Sequence, residues 1–93
     1  MASARSVSPE ALLSVGPLLR QLRDIKLLRE RQAGSFYLRT LAFVQFLEDD
    51  GELCADLKKE SGSDFERFTL GTPAEQRRFI DEAKRRAARL DED

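Results

Sequence analysis

The sequence has no histidine, a single cysteine and only five glycines among its 93 residues. Histidine is the usual general base near neutral pH and the commonest zinc ligand, so its absence excludes Ser-His and Cys-His nucleophilic pairs and most transition-metal sites. Cys54 has no second cysteine to pair with, so we expect a reducing, cytoplasmic setting. The glycines stand singly and form no phosphate-binding loop, which argues against nucleotide hydrolysis.

Long apolar runs are also missing. The most apolar stretch, residues 36–47, has nine apolar residues in twelve positions, whereas a membrane-spanning helix needs about 18 or more in a row. Near the start of the chain, Glu10, Gly16 and Pro17 interrupt the apolar residues, and no small-residue cleavage site follows. We therefore expect neither a signal peptide, nor a transit peptide, nor a transmembrane segment.

What the chain does contain is enough apolar surface for one folded domain, with 41% hydrophobic and 35% charged residues. We expect a single domain over residues 1–93, with residues 1–7 and 91–93 frayed. The net charge of −1 hides an uneven distribution, because the local sums are +4 over residues 1–39, −6 over 40–66 and +1 over 67–93. The middle of the chain is thus the acidic part.

Two helical regions are predicted. Ser8 and Pro9 form a helix start, Gly16-Pro17 interrupts it, and apolar residues at three- and four-residue spacing predict a helix from Pro17 to about Arg31 that ends at Gly34. At the other end, Thr72, Pro73 and Glu75 form a capping box. The apolar stripe of that second helix consists of Phe79, Ile80, Ala83, Ala87 and Leu90, with ion pairs expected from Asp81 to Arg85 and from Glu82 to Arg86.

Between the helices the composition turns aromatic and β-branched, which predicts strands. Asp50-Gly51 favours a tight hairpin turn because both residues tolerate positive φ angles. Residues 36–47 are predicted to form two strands joined near Arg39, rather than one long strand. In the strand after the turn we expect alternation, with one set facing the core (Leu53, Ala55 and Leu57) and the other facing out (Cys54, Asp56 and Lys58). "FERFTL" is a further strand.

The predicted fold class is therefore α+β, a small antiparallel β-meander of three or four strands flanked by an N-terminal and a C-terminal helix on one face. One sheet face would be filled by Phe36, Leu38, Phe43 and Leu47, and the opposite face by Tyr37, Ala42, Val44 and Phe46. Both faces look apolar. An uncovered apolar face on a small protein is typical of a partner surface or a ligand groove. The alternative is that the helices cover enough of both faces to close a monomeric core.

Three further features carry weaker expectations. The acidic residues 48–56 lack the spacing of an EF-hand, because Phe46 and Leu57 occupy its end positions, so we interpret them as a solvated hairpin tip. Arg20, Arg23, Arg85 and Arg86 form a possible basic patch, although acidic neighbours and a pI of 5.5 argue against nucleic-acid binding. A reactive role is not expected for Cys54, which has an acidic neighbour.

The stretches "SFYLRTLAFVQFLEDDGELCADLK" and "FERFTLGTPAEQRRFIDEAKRR" resemble small uncharacterised bacterial proteins of the kind found on integron gene cassettes. The shared features are an F-Y-L-R turn, an aromatic strand ending in E-D, an L-x-A-D-L strand and a capped T-P-A-E-Q helix, over residues 35–85. The resemblance implies a bacterial cytoplasmic protein and supplies no active residues.

We therefore expect a non-enzymatic protein that acts by association, forming a homodimer through the sheet surface around Tyr37, Val44 and Phe46 and binding a further protein partner in that form. One alternative is a pocket for a small apolar or cationic ligand, lined by Tyr37, Phe43, Gln45 and Phe46. Another is nucleic-acid binding through the four arginines named above. No catalytic residue, metal or cofactor is predicted, and no membrane partner.

Overall fold

The computed structural model describes residues 5–61 and 64–92. Helices pack on one face of an antiparallel sheet whose strand order is β2-β3-β4-β5-β6, with β1 paired to β4. The elements are β1 (Arg5–Ser6), α1 (Pro9–Leu13), α2 (Gly16–Arg23), β2 (Leu28–Gln32), β3 (Ser35–Leu38), β4 (Leu41–Asp49), β5 (Glu52–Lys58), β6 (Phe65–Thr69) and α3 (Pro73–Glu92). The α+β class is as predicted, and the sheet is larger than the three or four strands expected.

The predicted helix from Pro17 to Arg31 is wrong in its second half. α2 ends at Arg23, and residues 28–32 form β2, which pairs with β3 so that Leu28 lies opposite Leu38. Apolar spacing alone does not separate the two structures here, because Leu28 points into the core in either. Pairing with β3 favours the strand. It satisfies the backbone N–H and C=O groups along the edge of β3, which a longer helix would leave without partners.

Gly34 consequently belongs to a hairpin turn and not to a helix end. Gln32 pairs with Ser35, which leaves Ala33 and Gly34 as the two turn residues, and Gly34 has φ +82°. The predicted Asp50-Gly51 turn is confirmed, because both residues have positive φ angles of 55° and 82° between β4 and β5. Residues 36–47 are indeed divided between two strands, β3 and β4.

β4 contains an irregularity that the sequence analysis did not foresee. Val44 pairs with Phe36 but Ala42 pairs with Tyr37, so Phe43 is an extra residue on β4. A bulge of this kind reverses which side of the sheet the following residues occupy. Val44 and Phe46 therefore face the helices beside Phe36, and Leu47 faces away from them.

One core cluster joins all three helices to the inner face of the sheet. Ser8 caps α1 by accepting a hydrogen bond from the Ala11 N–H at 3.2 Å, as predicted. The predicted inner alternation of β5 is confirmed, because Ala55 and Leu57 are fully buried and Leu53 packs against the cluster. The stripe of α3 is confirmed as well: Phe79, Ile80, Ala83 and Ala87 are buried, and Leu90 is half-buried against them.

The ends of the described chain are more regular than expected. Arg5 and Ser6 pair with Glu48 and Leu47 of β4, and α3 continues to Glu92, while the fraying of the chain ends stays a prediction. Residues 1–4 and 93, which the same prediction included, lie outside the described residues. Within the described residues, no helix is long and apolar enough to span a bilayer.

Candidate functional site

The face of the sheet turned away from the helices is the candidate functional surface, and we call it the open face. Directly opposed residues of antiparallel strands project to the same side, so the register assigns each residue to a face. Arg29 lies opposite Tyr37, which lies opposite Ala42. The other residues placed on this face are Ser35, Gln45, Leu47, Asp49, Glu52, Cys54, Asp56, Lys58, Phe65, Arg67 and Thr69.

An arginine stacked on a tyrosine is the main feature at the β2 edge of the open face. The guanidinium of Arg31 lies 4.8 Å from the centre of the Tyr37 ring, within the distance of a cation–π contact. Arg29 occupies the cross-strand position opposite Tyr37, and both arginines are exposed. Among the described residues, neither has a carboxylate at ion-pair distance. Gln45, one strand further in, is exposed as well.

Arg67 is paired with two carboxylates on the acidic side of the open face. The Nε and Nη2 atoms of Arg67 donate to the two carboxylate oxygens of Asp56 at 2.9 and 3.3 Å, and its Nη1 donates to Asp49 at 2.9 Å. Hydrogen bonding to Asp56 raises the pKa of Arg67 above its usual range. Three strands are thereby linked through side chains. Asp50 and Glu52, at the hairpin turn, are exposed and have no described cationic partner.

Glu48 belongs to the inner face and has a structural role. Its Oε1 accepts hydrogen bonds from the backbone N–H and hydroxyl of Ser8 at 3.4 and 3.1 Å, which ties the start of α1 to the sheet. Among the described residues, no group of three or more Asp, Glu or Cys side chains is arranged to hold a metal ion.

Cys54 lies at the centre of the open face and is buried. It pairs across the strands with Leu47, and these two buried residues are separate from the main core cluster. Burial raises the pKa of the Cys54 thiol; the guanidinium of Arg67 opposes this shift, and Asp49 is among the carboxylates that add to it. The direction agrees with the sequence-based expectation that this thiol is not a nucleophile.

Two of the three residues expected at the partner surface lie in the core instead. Val44 and Phe46 are 1% and 2% exposed and belong to the core, because the bulge at Phe43 turns them inward. Only Tyr37 of that set lies on the open face. The proposed ligand lining is divided in the same way, with Phe43 and Phe46 in the core and Tyr37 and Gln45 on the other side of the sheet.

Three of the four arginines of the predicted basic patch form ion pairs with nearby carboxylates. Arg23 binds Glu30 at 2.8 Å, and Arg85 binds Glu60 and Glu82 at 2.7 Å each. The expected pairing of Asp81 with Arg85 is replaced by these contacts, whereas Glu82 does pair with Arg86, at 3.0 Å. Arg20 is exposed and is the member of the set without a described carboxylate partner.

Arg86 is the most enclosed of these arginines. Besides Glu82, it binds Glu66 at 2.6 Å and donates to the backbone oxygen of Lys58 at 3.3 Å. The side chain of Arg86 also lies over the ring of Phe68, with 5.8 Å between the guanidinium carbon and the ring centre. These contacts join α3 to β5 and β6, which gives Arg86 a structural role.

Clefts lie away from the predicted lining residues. One of about 390 Å³ runs between α2 and α3, with Leu18, Gln21, Arg77 and Ile80 among its walls. Another, of about 340 Å³, lies where β5 meets the start of α3 and includes Glu52 and Glu75. In the second cleft the Thr69 hydroxyl donates to the Glu75 carboxylate at 2.6 Å, and the same carboxylate accepts from the Thr72 N–H at the start of α3.

No family model, curated protein or solved structure matches the chain. The resemblance to integron-cassette proteins therefore stays a prediction, and the functional argument depends on the open face alone. The Arg31–Tyr37 stack was missed by the sequence analysis because residues 28–32 were assigned to a helix. Residues 28–32 contain only one apolar residue, Leu28, so the sequence has no alternation there that would have identified the strand.

Proposed function

We propose that this chain is a non-enzymatic association protein that forms a homodimer by packing its open face against the open face of a second copy. The observation that carries the proposal is the stack of Arg31 on Tyr37, with Arg29 beside it, on a sheet face that the described helices leave uncovered. Tyrosine and arginine are the residues most enriched, with tryptophan, among those that dominate binding energy at protein interfaces.

The size of the open face sets the expected strength of the dimer. Five strands about 4.8 Å apart and about six residues per strand at about 3.3 Å give a face of roughly 20 by 20 Å. Two such faces bury roughly 800 Å² in total, which is below the roughly 1,200–2,000 Å² of stable interfaces and corresponds to weak or transient association. We therefore expect a dissociation constant in the micromolar range and not an obligate dimer.

Three features support the non-enzymatic part of the proposal. The chain has no histidine, and the open-face carboxylates of Asp49 and Asp56 are both ion-paired with Arg67. Burial and a raised pKa make the Cys54 thiol a poor nucleophile. The bacterial, cytoplasmic setting and a further protein partner are part of the same proposal.

The test compares Tyr37→Ala with Leu13→Ala by analytical ultracentrifugation over a range of protein concentrations. Both changes truncate a large side chain, but Leu13 is 80% exposed on α1, away from the open face. We expect Tyr37→Ala to weaken the dimer by about tenfold or more, as loss of an interface anchor does, and Leu13→Ala to leave it unchanged. Equal dissociation constants for both variants and the wild type would contradict the proposal.

A further inference from the structure

Charges without ion-pair partners lie at two separate places, the β2 edge of the open face and the turn between β4 and β5. The cations are Arg29 and Arg31 of β2, and the carboxylates are Asp50 and Glu52 at the turn between β4 and β5. All four side chains are exposed, and among the described residues none of them forms an ion pair. By contrast, the two carboxylates between them, Asp49 and Asp56, are both paired with Arg67, and this group of three retains one negative charge.

The two groups are too far apart to pair within one molecule. β2 and β5 are separated by three strand spacings, about 14 Å. The pairing of Gln32 with Ser35, Ser35 with Gln45, and Asp49 with Glu52 offsets Glu52 from Arg31 by four to five residues along the strands, about 15 Å. The resulting separation of roughly 20 Å exceeds the reach of an arginine and a glutamate side chain together.

A second copy removes this limitation. Any two positions on a flat face are exchanged by a two-fold axis that lies in the plane and crosses the line between them at its midpoint and at right angles. With the axis near Gln45 and Leu47, the arginines of one copy meet the carboxylates of the other, and symmetry repeats the contact. A face with only one sign of free charge would repel its own copy, whereas this face is complementary to itself.

We infer that the homodimer is held in register by reciprocal ion pairs between Arg29 and Arg31 of one copy and Asp50 and Glu52 of the other. This rests on the proposed homodimer, and it adds the pairing that orients the two sheets. Because the pairs lie at the rim of the interface, screening weakens them. The dimer should therefore dissociate progressively as sodium chloride is raised from about 0.05 M to about 0.5 M.

Charge reversal provides the decisive experiment. One variant is Arg29→Glu with Arg31→Glu, and the other is Asp50→Asn with Glu52→Lys; asparagine is chosen because it tolerates the positive φ of residue 50. Each variant alone presents mostly one sign of free charge on the open face. We expect each to be at least about tenfold weaker in self-association, and an equimolar mixture of the two to recover a heterodimer.

A control carries the same charge change on the other side of the molecule. Arg77→Glu with Arg78→Glu alters two exposed arginines of α3 that have no described ion pair, and it should leave the dimer unchanged. Circular dichroism would check that all variants fold. If the wild type dimerises but the mixture fails to recover a heterodimer, the charge pairing is wrong and the homodimer stands. If the wild type is monomeric at every concentration, both are wrong.

Discussion

Gly34 and Gly51 share a backbone angle but differ in their surroundings. Both have φ +82°, yet a Cβ on Gly34 would lie 3.2 Å from Val7 and 3.3 Å from Leu12 and Phe46, whereas nothing lies within 4 Å of one on Gly51. Gly51→Ala should cost about 1–2 kcal/mol of unfolding free energy from its φ angle alone. Gly34→Ala should cost about 1 kcal/mol more because it also crowds the core. Urea unfolding measures both, and equal costs would contradict this account.

Arg86 stabilises the contact of α3 with the sheet. Replacing it with alanine removes the bonds to Glu66, Glu82 and the Lys58 carbonyl, and leaves that carbonyl without its donor. Because both carboxylates are partly exposed, we expect a loss of only about 1–2 kcal/mol in urea unfolding. Lys84→Ala, an exposed change on the same helix, is the control and should have little effect. An Arg86→Ala variant as stable as that control would refute the structural role.

The start of α3 is a local structure that the sequence specifies almost completely. The Thr72 N–H donates to Glu75 at 3.0 Å, and the Glu75 N–H donates to Thr72 Oγ1 at 3.1 Å, which is the predicted capping box. Thr72→Ala should cost about 1 kcal/mol in thermal or urea unfolding. Thr40→Ala, an exposed threonine of the β3–β4 turn, serves as the control. No difference between the two variants would argue against the capping role.

Acid should destabilise the fold through three carboxylates. The pKa of Glu75 is lowered first by the Thr69 hydroxyl, that of Glu82 by Arg85, and that of Glu30 by Arg23, from an ordinary value of 4.5. A lowered pKa in the folded state means that the stabilisation is fully present above pH 4.5 and is lost as the pH falls below it. The urea midpoint should therefore drop between about pH 5 and about pH 3. A midpoint that stays constant or rises over that range would contradict this.

The elements that could be predicted from the sequence are those with short-range signals. The Asp50-Gly51 turn and the cap of α3 depend on neighbours within four residues, so the sequence shows them directly. β2 depends on its pairing with β3, and residues 28–32 taken alone fit a helix as well as a strand. The bulge at Phe43 likewise has no local signal in the sequence. Because of this bulge, Val44 and Phe46 lie in the core and not on the surface where they were predicted.

The candidate site follows from those same long-range features. Tyr37 was placed on the correct face because its assignment depends only on alternation within β3. To place Arg29 and Arg31 beside Tyr37, one must know that residues 28–32 form β2. To see that the unpaired charges lie far apart, one must know the full strand order. For this chain the sequence therefore predicts the class of fold and one anchor of the surface, and the three-dimensional pairing supplies the rest.

The described helices cover one side of the sheet, and we propose that the other side, the open face, packs against its own copy. The central claim is self-association, and solution mass measured by light scattering tests it most directly, from about 5 μM to about 500 μM protein at low salt. We predict that the mass rises with concentration from 10.6 kDa towards about twice that value. A mass that remains at 10.6 kDa over the whole range would contradict the account.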